Sequence, residues 1–194
     1  EKITDLIFVA QVYGGIEHCV RCFEVASQVK GRKIIRAIFP NKENLVNASP
    51  DWVDELDSAR VKLEKMEIPC GGRIPPEDYW RQIASSRVVF MRAGKHFCIS
   101  HGMVNNLALG AAIVIDSDPL PSWPVPLTSG TNFLSLGLNR QLDGSAALIK
   151  DYQSARNIIE SLIEDEDRRL KMSLANQKYF DRYVSTVGVG DYVH

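Results

Sequence analysis

The sequence lacks long apolar runs, and its charges are almost balanced. No stretch of its 194 residues approaches the ~18 consecutive apolar residues of a transmembrane helix, so no transmembrane segment is expected. The net charge of −1 gives no overall reason to expect binding to nucleic acid or to an anionic membrane. Repeats and low-complexity segments are also missing, whereas 45% hydrophobic and 24% charged residues are typical of a globular domain with a real core. The chain starts at Glu1 without Met or a signal-like leader, which is consistent with a processed or partial chain.

Cysteines are few and scattered, which bears on redox chemistry and compartment. Cys19 and Cys22 form a CxxC pair, whereas Cys70 and Cys98 are single. A redox CxxC needs a helix N-terminus, yet this pair lies well inside the helix expected after Gly14-Gly15. Zinc would need two more ligands at suitable spacing. We therefore expect structural cysteines, no metal site and a reducing, cytoplasmic location.

Short apolar runs alternate with helical patterns along the chain. Strands are predicted at 5–10, 33–39, 66–70, 87–91, 112–115 and 131–136. Helices are predicted at 16–29, from Ser49-Pro50 to about 65, from Pro75-Pro76 onward, from about 100 to 110, and through most of the chain after about 143. Apolar stripes in the last helices include Leu170 and Leu174, and Tyr179 is expected to pack the final helix down. This alternation predicts an α/β fold, with residues 1–194 forming a single Rossmann-like domain of doubly wound, mostly parallel sheet and a helical C-terminus.

One long segment contains no acid: Asp and Glu are absent between Tyr79 and Ile115. The segment does hold basic residues and histidines, namely Arg81, Arg87, Arg92, Lys95, His96 and His101. A helix start at Ser100 follows strand 87–91, and ligands of open α/β sheets bind where such helices begin. Free backbone amides and the helix dipole favour an anion there.

The residue types at this helix start also suit a ligand. Ser100 can cap the helix, Gly102 lets the backbone come close, and Asn105 can hydrogen-bond without adding negative charge. We therefore predict a phosphate-bearing ligand near Ser100. The alternative is an ordinary capped helix, with asparagines facing solvent and acids missing by chance.

Two glycine pairs are further candidates. Gly14-Gly15 forms a strand-to-helix turn, but it is neither a GxGxxG motif nor a phosphate loop, so a plain turn and a ligand site both remain open. Gly71-Gly72 precedes Arg73, which is either a phosphate ligand or a surface residue. His18, alone in its helix, reads as structural or surface. No nucleophile–base set and no acid pair stands out.

Four segments follow one another between Met66 and His194: "CGGRIPPEDYWRQIASSRVVFM", "SHGMVNNLALGAAIVIDSD", "GTNFLSL" and "SLANQKYFDRYVST". This order resembles the nucleotide-sugar-binding half of GT-B glycosyltransferases, with exostosin-like or related families the most similar. The "GGIEH" turn also resembles a loop in the acceptor-side domain of these enzymes. The resemblance implies that the chain is the donor-binding half of a larger two-domain protein.

The resemblance also implies roles for individual residues. Ser100, His101 and Gly102 would lie at the donor diphosphate, with His101 the first candidate for a catalytic group. Lys95 and Arg73 would be the basic partners of the diphosphate. Gly71 and Ile74 would lie near the base, and Gly14 and Gly15 would form a neighbouring loop. Asn105 stands where many such enzymes carry a glutamate that holds the donor ribose or sugar.

The implied reaction is transfer of a sugar from a nucleoside diphosphate to an acceptor hydroxyl. The partners would be a nucleotide-sugar and a carbohydrate or glycoside acceptor, with no cofactor and with a second domain or chain completing the site. Asp116 or Asp118 could contact the sugar or the acceptor. The alternative is a non-catalytic Rossmann-like module that binds a nucleotide or a partner protein, and Asn105 favours it.

Overall fold

A computed structural model of the chain describes residues 3–46, 48–93, 100–119, 125–139 and 147–186. Its six strands form one sheet in the order β3-β2-β1-β4-β5-β6, and every neighbouring pair is parallel. They are β1 Thr4–Gln11, β2 Lys33–Ile38, β3 Cys70–Gly71, β4 Ser86–Met91, β5 Ile113–Ile115 and β6 Leu134–Ser135. The predicted Rossmann-like, doubly wound sheet is confirmed.

Six α-helices accompany the sheet in the described residues, with a short 3-10 helix at Lys42–Leu45. They are α1 Ile16–Gln28, α2 Pro50–Lys65, α3 Pro76–Ala84, α4 His101–Ala108, α5 Tyr152–Glu164 and α6 Glu166–Tyr183. Local signals set several starts: Pro50 and Pro76 open their helices, and the Ser100 side chain caps α4. Among the helices described, not one has both the length and the apolar character needed to cross a bilayer.

The helices cover the two faces of the sheet with separate apolar cores. Phe8, Phe23 and Leu63 belong to the core under α1, α2 and α5. Ile7, Met103 and Tyr179 belong to the core under α3, α4 and α6. Because side chains alternate along β1, Phe8 and Ile7 point to opposite faces. The strand order reverses between β1 and β4, which places the topological switch point there.

The structure corrects two predicted strands. The strand expected at 66–70 is displaced to Cys70–Gly71, because Met66 ends α2 and Glu67 then turns the chain with a left-handed φ of 58°. The strand expected at 131–136 is shortened to Leu134–Ser135. The Asn132 side chain accepts a hydrogen bond from the Thr128 N–H at 2.9 Å, which holds the preceding residues in a turn.

The predicted inward face of the last helix is partly wrong. Leu170 and Leu174 are 56% and 58% exposed. The buried positions of α6 are instead Met172, Asn176 and Tyr179, and this helical spacing turns the two leucines away from the sheet. The prediction that Tyr179 packs the helix down is confirmed.

Candidate functional site

The carboxyl ends of the parallel strands all lie at one edge of the sheet, here called the carboxyl edge. The loops leaving β1, β3, β4 and β5 begin there, and helices α1, α3 and α4 start from it. Ligands of open α/β sheets bind in the crevice at this edge, next to the switch point. Gly14-Gly15, Gly71–Ile74 and Ser100–Asn105 all belong to these loops and helix starts. The three candidate segments predicted from the sequence therefore all lie at the carboxyl edge.

The start of α4 is a capped helix N-terminus, where an anion was predicted to bind. The Oγ atom of Ser100 accepts a hydrogen bond from the Met103 N–H at 3.2 Å. Within the described residues, no acceptor pairs with the N–H groups of His101 and Gly102, as is usual in the first turn of a helix. The His101 side chain is exposed, and that of Asn105 is half-buried. Lys95, the predicted basic partner, lies outside the described residues.

The glycines at this edge differ in what the fold demands of them. Gly14 and Gly15 have φ values of 53° and 61°, a left-handed conformation that explains glycine without a ligand. Gly102 has no such φ, and a Cβ there would meet only the Ser100 Oγ, at 3.6 Å. A Cβ on Gly72 would meet nothing within 4 Å. The fold therefore explains the first pair, whereas only Gly72 borders open space and a Cβ on Gly102 would make an ordinary contact.

A cation that the sequence did not indicate, Arg36, reaches the loop after β3 from the neighbouring strand. Arg73 is exposed, and Ile74 is half-buried. Arg36, on the neighbouring strand β2, directs a guanidinium nitrogen to 3.5 Å from the Gly72 carbonyl oxygen. Sequence reasoning missed Arg36, because a single arginine in a strand resembles an ordinary surface residue. Its closeness to Gly72 depends on the β2–β3 pairing.

A buried hydrogen-bond network lies below the switch point. His18 Nε2 lies 2.8 Å from Asp116 Oδ2, and each side chain is only 2% exposed. The other Asp116 oxygen accepts from the N–H groups of Ala93 and Ser117, both at 2.7 Å. The expectation that Asp116 contacts a sugar or an acceptor is therefore wrong, because both of its oxygens accept hydrogen bonds inside the protein. Asp118 is exposed, and its contact with either substrate stays a prediction.

Arg92 joins this network to the loop after β1. Its guanidinium donates to the Gly14 carbonyl oxygen at 3.0 Å. Burial alone would lower the pKa of Arg92, but the neighbouring Cys19, Cys22 and Asp116 shift the balance and raise it. A charged Arg92 therefore fixes the Gly14 turn against the end of β4.

The donor types His18, Cys22 and Asp116 are those that zinc binds, and their ligand atoms lie within 4.8 Å of one another. Burial raises the pKa of the Cys22 thiol well above its usual value, and Asp116 adds to that rise. Two observations favour a structural role for the three residues. Both oxygens of the Asp116 carboxylate already accept hydrogen bonds within the protein, and Arg92 adds a positive charge nearby. His18 Nδ1 has no partner among the described groups, although a ligating histidine usually donates from its second nitrogen.

The CxxC pair does not lie at a helix start. Cys19 and Cys22 lie inside α1, and both are fully buried free thiols. Burial also raises the pKa of Cys19, with Arg92 acting in the opposite direction. A neutral, buried thiol is a poor nucleophile, which supports the structural interpretation.

The acid-free segment supports an anion site less than the sequence indicated. Arg87 pairs with Asp5 at 3.0 Å, at the opposite, amino-terminal edge of the sheet. Arg81 pairs with Asp78 at 3.0 Å within α3. Both cations are thus neutralised by acids from outside the segment. Of the arginines in this segment, Arg92 alone lies at the carboxyl edge.

Comparison with known proteins finds similarity only in structure. No protein-family model matches the sequence, and no curated protein matches it. HepE from Anabaena, solved with UDP-glucose, superposes with a TM-score of 0.61 at 13% identity, over 98% of this chain and 47% of HepE. The C-terminal domain of LpcC, a group 1 family glycosyl transferase from Francisella tularensis, gives a TM-score of 0.56 at 13% identity, over 93% of this chain and 87% of that domain.

WaaG, a glycosyltransferase involved in lipopolysaccharide biosynthesis, gives a TM-score of 0.53 at 8% identity, over 96% of this chain and 45% of WaaG. The chain thus spans about half the length of HepE and WaaG. The fold is that of one Rossmann-like half of a GT-B glycosyltransferase, so the resemblance drawn from the sequence is confirmed at the level of fold.

Proposed function

We propose that this chain is the nucleotide-sugar-binding half of a glycosyltransferase. The observation that carries the proposal is the start of α4, where two amides have no acceptor among the described residues, next to the switch point of a fold shared with HepE. The complexes of HepE contain UDP with glucose, or UDP-glucose, so a uridine diphosphate sugar is the first donor to test.

The bound diphosphate lies against the amides of His101 and Gly102, with Arg73 and Lys95 as its cations. During transfer, the bond between the sugar and the diphosphate breaks as an acceptor hydroxyl bonds to the sugar carbon. Negative charge then builds on the departing diphosphate, and preorganised amides stabilise it because they need no rearrangement. The exposed His101 side chain is the first residue to test as a proton acceptor. The acceptor, a carbohydrate or a glycoside, binds in a site that a second domain or chain completes.

Binding is tested first by thermal shift with UDP, GDP, ADP and CMP species, followed by calorimetry on the full chain. Replacing Arg73 by Ala should weaken UDP binding by roughly tenfold or more, the scale of a hydrogen bond to a charged group. Arg81→Ala is the matched control, because Arg81 is exposed and already paired with Asp78. If no nucleotide raises the melting temperature, the proposal is wrong. If UDP binds equally to both variants, Arg73 has no role in binding.

The second candidate is a nucleotide-binding module without catalysis. The half-buried amide of Asn105 favours it, because the resemblance places a glutamate of active enzymes at that position. Release of free UDP from UDP-glucose, measured with and without candidate glycoside acceptors, separates the two. Binding without release supports the module, whereas release that depends on an acceptor supports the transferase.

A further inference from the structure

Arg36 has no acidic partner within the part of the chain that the structure describes, and its hydrogen bonding is incomplete. The contact of its terminal nitrogen with the Gly72 carbonyl oxygen, 3.5 Å, is at the long limit for a hydrogen bond. Its Nε is buried with no acceptor among the described groups. Buried donors in folded proteins are nearly always paired. The guanidinium is therefore short of acceptors.

The glycines beside Arg36 keep the space around it free. A Cβ on Gly71 would lie 3.0 Å from an Arg36 terminal nitrogen, so any larger residue there would require the guanidinium to shift by a few tenths of an ångström. Next to it, a Cβ on Gly72 would lie in open space. Neither glycine has a left-handed φ, so backbone conformation does not explain them. Gly71-Gly72 thus leaves the guanidinium room and borders open space at the carboxyl edge.

Arg36 lies on the face of the sheet that also carries the start of α4. It pairs in register with Val9, and Val9 packs with the core under α3 and α4. Strand β2 is the second neighbour of β4, so the two strand exits lie roughly 10 Å apart at 4.7–4.9 Å per strand. A nucleotide with its diphosphate at α4 that extends along the carboxyl edge toward β2 would therefore have its base within reach of Arg36.

We propose that Arg36 recognises the base of the bound nucleotide and selects an edge that carries a carbonyl oxygen. This inference rests on the proposed function. A guanidinium has only donors, so it pairs with the 4-oxo group of uracil or the 6-oxo group of guanine. Cytosine and adenine place an amino group at the same position, where its hydrogens would face those of Arg36.

The test uses two nucleotide pairs, UDP with CDP and GDP with ADP, whose members share ribose and phosphates. Calorimetry on the full chain should show that UDP binds at least tenfold more tightly than CDP, or that GDP binds at least tenfold more tightly than ADP. Arg36→Ala should remove that preference, by weakening UDP or GDP while leaving CDP or ADP nearly unchanged. Arg36→Lys keeps the charge without the planar fork and should also lose most of the preference. Arg32→Ala is the control, because Arg32 is exposed and immediately precedes β2, at the opposite edge of the sheet.

The outcomes separate this inference from the proposed function. If nucleotides bind but the ranking of bases is the same in Arg36→Ala and the native chain, the inference is wrong and the proposed function stands. A uniform loss for all four nucleotides likewise overturns it, because it would mean a contact with phosphate or ribose. If no nucleotide binds to the native chain, both are wrong. Circular dichroism of each variant ensures that only folded protein is compared, and Arg36→Lys decides if Arg36→Ala does not fold.

Discussion

His18 and Asp116 are 98 residues apart in the sequence, yet His18 Nε2 lies 2.8 Å from Asp116 Oδ2 in the buried interior. This contact joins α1 to the residue that follows β5. Since Asp116 also accepts hydrogen bonds from the Ala93 and Ser117 N–H groups, it connects the loops after β4 and β5, and His18 connects them to α1 on the other side of the switch point. We interpret Asp116 as the residue that holds these loops in place beneath the candidate site.

Replacing Asp116 by Ala should therefore destabilise the fold strongly. The variant leaves His18 Nε2 and the N–H groups of Ala93 and Ser117 without their acceptor, and breaking a buried pair such as His18–Asp116 costs about 3–5 kcal/mol. The free energy of unfolding from urea titrations measures the loss. Asp118→Ala, at an exposed position two residues away, should stay within about 0.5 kcal/mol of the native chain. Equal effects of the two substitutions would contradict this role for Asp116.

Asn176 is a second buried polar side chain, and its hydrogen bonds hold α6 against the core under α3, α4 and α6. Its side chain is fully buried, and its Nδ2 donates to the carbonyl oxygens of Ala111 at 2.8 Å and Asn132 at 3.0 Å. Its Oδ1 accepts from Asn132 Nδ2 at 3.1 Å. Asn176→Ala leaves these groups unpaired and should lower the free energy of unfolding by at least about 2 kcal/mol. Denaturant unfolding of Lys178→Ala, an exposed neighbour, provides the reference, and an equally small effect of both would refute this role for Asn176.

Tyr152 should make stability depend on alkaline pH. Burial, together with its hydrogen bond to Glu24, raises the pKa of Tyr152 to about 12. A raised pKa means that the contribution is complete below pH 10 and is lost as the pH rises toward 12. The stability difference between the native chain and Tyr152→Phe should therefore decrease between pH 10 and pH 12. Urea unfolding at pH 8, 10 and 11.5 measures it, with Tyr13→Phe at an exposed site as control. A difference that does not change with pH would count against the Tyr152–Glu24 contact.

The sequence was sufficient for features that depend on neighbouring residues. Pro50, Pro76 and Ser100 mark helix starts through local chemistry, and the structure begins helices at those points. Apolar runs such as that of β1 predict buried parallel strands because both faces are covered. Because crossovers between parallel strands are right-handed, the alternation of these elements leaves only a few possible topologies.

Features that depend on contacts between distant residues could not be predicted. His18 reads as an ordinary helix residue until β5 places Asp116 beside it. Arg36 gains its position only when β3 pairs with β2 and presents Gly72. The burial of Leu170 could not be predicted, because α6 has apolar residues on two faces and the sequence does not show which face packs against the sheet.

Gly102 provides a test that separates folding from binding. A Cβ there meets no close contact and the residue is helical, so Gly102→Ala should raise the free energy of unfolding by about 0.4–1 kcal/mol. The same methyl group would occupy the space in front of the α4 amides, so UDP binding should fall by roughly tenfold, about 1.4 kcal/mol. Gly110→Ala is the opposite control: its φ of 58° and its closeness to Gln177 should make alanine destabilising by about 1 kcal/mol or more, with no direct effect on binding. Thermal unfolding and calorimetry on both variants measure the two effects. If Gly102→Ala binds UDP as tightly as the native chain does, the diphosphate does not lie against the start of α4.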